Sequence, residues 1–258
     1  MSSVCFDIKS FCESIRWSAL PPGSTETERM FLATLKGFVE RHISIFGALV
    51  ILERAGKIEE AFILGRTLFE LSVDAALFWN SIVNSDNADE IMGRISYEWD
   101  TNKFRYLKDH PDLSDEKLEV LQSKVKKIPG LSDKDHKAII QKQHFSGATL
   151  RDRCNEVDVG KYYKPVFSRL SRYTHGMTFD REMILARNLS FPAYQRERTV
   201  EECLTLTHSA MLALEAIKML SPVTGLIYDE KTWSALLDRT TSIVDKIPEQ
   251  IGDNSKAI

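Results

Sequence analysis

No proline stands between Pro22 and Pro111. An all-β chain of that length would need frequent turns, so the gap favours long helices. Pro21-Pro22-Gly23 forms a break ahead of it, and Thr25-x-x-Glu28 has the pattern of a capping box that opens a helix. Phe31, Leu35, Phe38, Ile45, Leu49 and Leu52 then recur at spacings of four and three, with His42 interrupting the stripe. This pattern predicts an amphipathic helix packed in a bundle, with His42 as a satisfied, half-buried histidine. Gly56-Lys57 predicts a reversal. Ile58 to about Val83 reads as a second long helix, and Ala88 to Lys108 as a third that ends before His110-Pro111.

The chain changes character from Pro111 to Gly147. It is Lys-rich, is broken at Pro129-Gly130, and predicts two short helices, the second capped by Ser132-x-x-Asp135. Lys124, Lys126, Lys127, Lys134, Lys137 and Lys142 are interrupted by Glu116, Glu119, Asp133 and Asp135, so a solvated face is expected before an RNA track. A loop at Phe145-Ser-Gly147 follows. Tyr162 to His175 predicts a helix with Pro165 in its first turn and Gly176 as its stop. Thr199-x-x-Glu202 predicts the cap of a long helix to about Leu220, ended by Ser221-Pro222. A last helix is expected from Asp229 to about Lys246, before Pro248.

The fold expected is therefore all-α, a helical bundle of long antiparallel helices with a small helical insertion. At 258 residues it is expected to form one helical domain, with a core over about 25–110 and 159–246 and the insertion over about 111–150. Hydrophobic residues at 43%, charged residues at 28% and a net charge of −3 argue against disorder and against a strongly cationic nucleic-acid coat. No uncharged apolar run is long enough to span a bilayer and no secretory signal opens the chain, so no membrane association and a cytoplasmic location are expected. Cys5, Cys12, Cys154 and Cys203 form no C-x-x-C pair, and Cys5 and Cys12 share a helical face suited to apolar contact. No metal and no cofactor is expected, for neither a zinc-ligand spacing nor a Gly-rich phosphate loop is present.

The second long helix holds the most informative pattern. It is apolar on nearly every side, yet Arg66, Glu70 and Asp74 lie at i, i+4 and i+8. Buried charge needs a partner, so this stripe either meets water in a cleft or meets polar groups from another helix. The plain alternative is an intrahelical Arg66–Glu70 pair on a partly exposed face. Glu70 and Asp74 would then repel unless a cation or a proton intervenes. A second polar segment runs through Tyr163, Arg169, Ser171, Arg172 and His175. In a helix Ser171 and His175 share a face with Arg172 beside them. They form either a polar site or a helix end at which His175 caps the last carbonyls.

At these residues the chain resembles an all-helical bacterial family classed as a domain of unknown function. The resemblance rests on Arg66-x-x-x-Glu70, on Phe145-Ser-Gly147-Ala-Thr-Leu-Arg151, and on Tyr163 followed by Leu170-Ser171-x-x-x-His175. It covers about residues 30 to 220. Some proteins similar to that family are HEPN-like, a helical group that includes ribonuclease toxins and phage-defence effectors, commonly dimeric, with an Arg-x(4–6)-His motif. Arg169 and His175 fit that spacing.

Two readings follow. By the resemblance, the chain is a metal-independent endoribonuclease acting in phage defence or as a toxin. His175 is then its general acid or base, Arg169 or Arg172 stabilises phosphate charge, RNA is the substrate and a homodimer the working form. The alternative is a non-enzymatic helical interaction or small-ligand-binding module in which Arg66, Glu70, Asp74, Ser171, Tyr163 and His175 form a polar network.

Overall fold

A computed structural model describes residues 2–17, 25–83, 88–108, 114–124, 128, 130–160, 163, 167, 170–171, 190–224 and 226–252. The protein is all-α, a helical bundle with shorter ancillary helices. Its described helices are α1 (Ser2–Ser14), α2 (Glu26–Arg54), α3 (Ile58–Val83), α4 (Ala88–Leu107), α5 (Asp115–Lys124), α6 (Asp133–Lys142), α7 (Leu150–Glu156), α8 (Phe191–Thr224) and α9 (Glu230–Gly252). The only strands among the described residues are β1 (Arg16–Trp17) and β2 (Leu226–Ile227), an antiparallel pair too short for any alternating pattern.

Local chemistry sets most helix ends. Thr25 and Glu28 form the expected reciprocal cap: the Thr25 amide donates to Glu28 Oε2 at 2.7 Å, and the Glu28 amide to Thr25 Oγ1 at 3.2 Å. The end of α2 is a Schellman motif. Lys57 N–H reaches the Leu52 carbonyl at 2.8 Å and Gly56 N–H the Glu53 carbonyl at 2.9 Å. Gly56 adopts φ +71°, which a residue without Cβ takes at no steric cost. Ser132 caps α6 as expected, accepting from the Asp135 amide. Thr149 caps α7 in the same way, a helix that the sequence reading passed over.

The last third of the chain corrects three expected boundaries. Helix α8 starts at Phe191, so Thr199 and Glu202 lie inside it and not at its N-terminus. Pro192 falls in its first turn, where a missing N–H removes no helical bond. The helix also passes Ser221-Pro222. Pro222 cannot donate to the Lys218 carbonyl, and the Ser221 hydroxyl donates to it instead at 3.0 Å. Helix α9 likewise continues through Pro248 to Gly252, beyond the expected end near Lys246. Its start agrees, with Asp229 Oδ1 accepting from the Lys231 amide.

The chain forms two compact units. The first comprises Met1–Ser24, Leu32–Ala75 and Lys161–Ile258. Its α2 stripe buries Leu35, Val39, Ile45, Phe46 and Leu49. Helix α1 packs on α8 and α9, with Cys5 and Cys12 on its buried face. Burial pushes both thiols up to about 12, so they act as small apolar groups. Trp233 Nε1 donates to the Leu214 carbonyl at 2.9 Å and pins α9 on α8. The α8 stretch Cys203–Ser221 is long and apolar enough, by length and composition, to cross a membrane. More than half of it is buried within the fold, as expected for the core helix of a bundle.

The second unit comprises Thr25–Phe31 and Ala76–Gly160. Helix α4 packs on α5 and α6, and Phe78 meets both Phe31 and Phe145. Lys134, Lys137 and Lys142 point to solvent, while His136 and Ile139 on the same helix are buried. The Phe145-Ser-Gly147 loop turns at Gly147, where φ is +68° and a Cβ would lie 3.1 Å from Ala138 Cβ.

Candidate functional site

The three charges of the α3 stripe are all half-buried. Arg66 and Glu70 form an intrahelical pair, Nη2 donating to Oε1 at 2.9 Å, with side chains 23% and 34% exposed. The stripe thus sits at the water boundary, between the two surroundings the sequence allowed. Asp74 is one turn further along.

Residues far along the chain close the apolar side of this pair. The Arg66 guanidinium lies over the Phe167 ring at 5.0 Å. Phe167 stacks on Tyr163 at 5.2 Å and tilts against Phe69 at 6.0 Å. A cation over an aromatic face is held by the ring quadrupole, more strongly where water is thin. Arg66 Nε is shut off from solvent and has no hydrogen-bond partner among the described residues. One guanidinium amine is therefore bound and one face is covered, and among the described residues no further N–H donor of Arg66 is paired.

Tyr163 and Phe167 lie on wide, π-type helical backbone and Leu170 and Ser171 on α-helical backbone, as the expected helix requires at these four positions. Tyr163 and Ser171 are half-buried and Leu170 is buried. Arg169, Arg172 and His175 lie outside the described residues, as do Pro165, Gly176 and the Pro21-Pro22-Gly23 and His110-Pro111 breaks.

Gly65 explains how α3 comes so close to α8. A Cβ there would stand 3.0 Å from Thr205 Cγ2, 3.3 Å from Ser209 Oγ and 3.5 Å from Leu170 Cδ1. A larger residue beside Arg66 would push these neighbours away. Neither Gly65 nor Phe167 was singled out from the sequence. The four-residue step from Tyr163 to Phe167 was the available signal, since it places both rings on one helical face.

The second unit holds two further buried histidines. His136 receives the Ile128 amide at Nε2, 2.9 Å away, and its Nδ1 lies 2.9 Å from the Ser132 carbonyl. A carbonyl only accepts, so Nδ1 donates to it while Nε2 accepts the Ile128 amide. His144 Nδ1 accepts the Ser146 amide at 3.1 Å, and Ser146 Oγ accepts the Ala148 amide at 3.2 Å. The His136 ring ties the Ile128 loop to α6, and the His144 ring closes the loop that follows α6. Tyr97 meets His136 edge-on at 4.9 Å. Glu98 accepts from Asn102, and Asp100 lies 3.5 Å from the Ser96 hydroxyl. The described residues include no group of three or more His, Cys, Asp or Glu able to hold a metal ion.

No curated protein and no solved structure matches the chain. A family profile does match, over residues 33–187, from α2 through the segment that carries Tyr163 and Phe167. That span is more than half the chain, and the protein belongs to the family of unknown function DUF5677.

Proposed function

We propose that the protein is a non-enzymatic helical module in which the Arg66–Glu70 pair, set on the Tyr163–Phe167–Phe69 rings, receives an anionic group of a small ligand or partner segment. The observation that carries this reading is the half-committed arginine. Its guanidinium is oriented by one carboxylate and one ring and has no second polar partner among the described residues, and the side chain as a whole is 23% exposed. Arginine held in this way offers a preformed fork to carboxylate or phosphate oxygens.

The test is a thermal melt of the full chain with inorganic phosphate and with benzoate, in wild type and Arg66→Gln. The expected result is a rise in Tm with at least one anion that Arg66→Gln abolishes. No rise in wild type overturns the reading. The ribonuclease reading, with His175 as acid or base and Arg169 or Arg172 on the phosphate, rests on the family resemblance alone. It is tested beside the first on total RNA. Chelator-resistant cleavage by wild type that His175→Ala loses would replace the binding-module reading.

A further inference from the structure

Within the second unit, one buried side chain ties α6 to the chain that leads into it. His136 is 3% exposed and commits both ring nitrogens to backbone groups of opposite kind. Nδ1 donates to the Ser132 carbonyl at 2.9 Å, and Nε2 accepts the Ile128 amide at 2.9 Å. An accepting ring nitrogen carries no proton. Ile128 belongs to the connection between α5 and α6. Its carbonyl accepts the Leu131 amide at 3.2 Å. Its side chain lies against α4 at Gly93, where an added Cβ would stand 3.7 Å from Ile128 Cγ2. Lys126 and Lys127 precede it in the sequence, and Pro129 and Gly130 follow.

A proton on Nε2 would set two donors against each other across this short bond. A backbone amide cannot reverse its role, so the bond must break. The other enclosed histidines among the described residues, His42 and His144, differ in this respect. Each has a serine hydroxyl at a ring nitrogen, Ser72 at 2.9 Å and Ser146 at 2.8 Å, and a hydroxyl can turn from donor to acceptor. Nothing around His136 supplies the same relief. From α4, Tyr97 meets the ring edge-on at 4.9 Å. The α4 charges nearest Tyr97 in sequence have partners on their own helix: Arg94 pairs with Glu90, Glu98 accepts from Asn102, and Asp100 lies by the Ser96 hydroxyl. On α6, Asp133, Lys134, Asp135 and Lys137 are exposed to water. Among the described residues no carboxylate is bonded to either ring nitrogen.

We propose that His136 is a proton-operated clasp. With Nε2 bare, it holds the α5–α6 connection on α6 through the Ile128 amide. With Nε2 protonated, it releases Ile128 while Nδ1 keeps the Ser132 carbonyl. Histidine suits this role because its charge changes between about pH 8 and pH 5. Helix α6 itself stays closed, since its N-terminus is capped separately by Ser132 on the Asp135 amide. The stretch set free is the one that carries Lys126 and Lys127, so acid would loosen a positively charged segment from the unit.

NMR on the full chain, isotope-labelled at histidine and isoleucine nitrogens, reads the outcome between about pH 8 and pH 5. The His136 ring nitrogens and the Ile128 amide are expected to titrate with one common midpoint. Protection of the Ile128 amide from exchange, corrected for the chemical rate at each pH, is expected to fall at least about tenfold through that midpoint. His136→Gln keeps an acceptor for Ile128 and a donor for Ser132 but cannot titrate, so its Ile128 amide is expected to stay protected in acid. Acid acts on His42 in both proteins, so the difference between them reports His136. The proposal is overturned by an Ile128 amide that does not follow the ring, by equal acid loss of protection in His136→Gln, or by an Nε2 that stays bare until the chain unfolds. The common midpoint is read on wild type alone, so it decides the matter even where the variant folds poorly. None of these outcomes depends on the Arg66 site.

Discussion

His42 Nε2 lies 2.9 Å from Ser72 Oγ, a polar contact between α2 and α3 in which the direction of donation is set by charge. His42 is fully buried, and its Nδ1 sits 2.7 Å from the Phe38 carbonyl, so Nδ1 must carry a proton. In the neutral ring Nε2 accepts, and the Ser72 hydrogen points to it. Ser72 Oγ is also 2.8 Å from the Leu68 carbonyl. When the ring gains a proton, Nε2 donates and the Ser72 hydrogen must turn to Leu68. The histidine expected to be half-buried is thus a fully enclosed contact between the first two long helices.

Acid is expected to weaken the fold through this ring. Burial lowers its pKa from 6.5 to about 4. Below pH 6.5 the unfolded chain binds a proton there that the folded chain refuses. Stability is therefore complete above 6.5 and falls as pH drops toward 4, by about 3 kcal/mol in all for this group. Urea melts across that range check it, and His42→Leu is expected to flatten this part of the slope.

Glu70→Ala is expected to cost about 1 kcal/mol. The pair is half-exposed, so screening keeps its worth near that of a surface pair, raised by the closed Nε of Arg66. Arg66→Ala should cost more, about 2 kcal/mol, because the Phe167 ring is then uncovered. Equal losses in chemical denaturation would show that the ring contact adds nothing.

Gly65→Val is expected to destabilise by about 2 kcal/mol, since the added carbons enter the space held by Thr205 and Ser209. Thr205→Ser removes the methyl nearest the new Cβ. The double variant is then expected to lose less than the two single losses combined. Strict additivity in a double-mutant cycle would place the strain elsewhere.

Gly147→Ala is expected to cost about 1–2 kcal/mol. Its φ of +68° is poor for a residue with Cβ, and the added carbon would stand 3.2 Å from the Ile139 nitrogen. The loss should appear as faster amide exchange around α6 and α7, where the loop is anchored.

Sequence alone determined the features that need only neighbouring residues. The Thr25–Glu28 and Ser132–Asp135 caps, the Gly56 reversal, the bounds of α3 and the Arg66–Glu70 pair all lie within one or two helical turns. Their chemistry is complete locally, so spacing reveals it. Prolines were harder to read, because the effect of one depends on which carbonyl it leaves without a donor. Pro192 leaves none, and Ser221 supplies what Pro222 lacks. The tertiary structure decided how much water each polar side chain meets. His136 and His144 stand in a stretch whose lysine face was expected to be solvated, and while Lys134, Lys137 and Lys142 do face water, both histidines are enclosed, with ring nitrogens on nearby backbone or side-chain groups. Arg66 owes its covered face to Phe167, a hundred positions along the chain, and the approach of α3 to α8 depends on Gly65 meeting Thr205. Burial is a property of what packs against a residue, and long-range packing leaves no periodic mark in the residues that flank it.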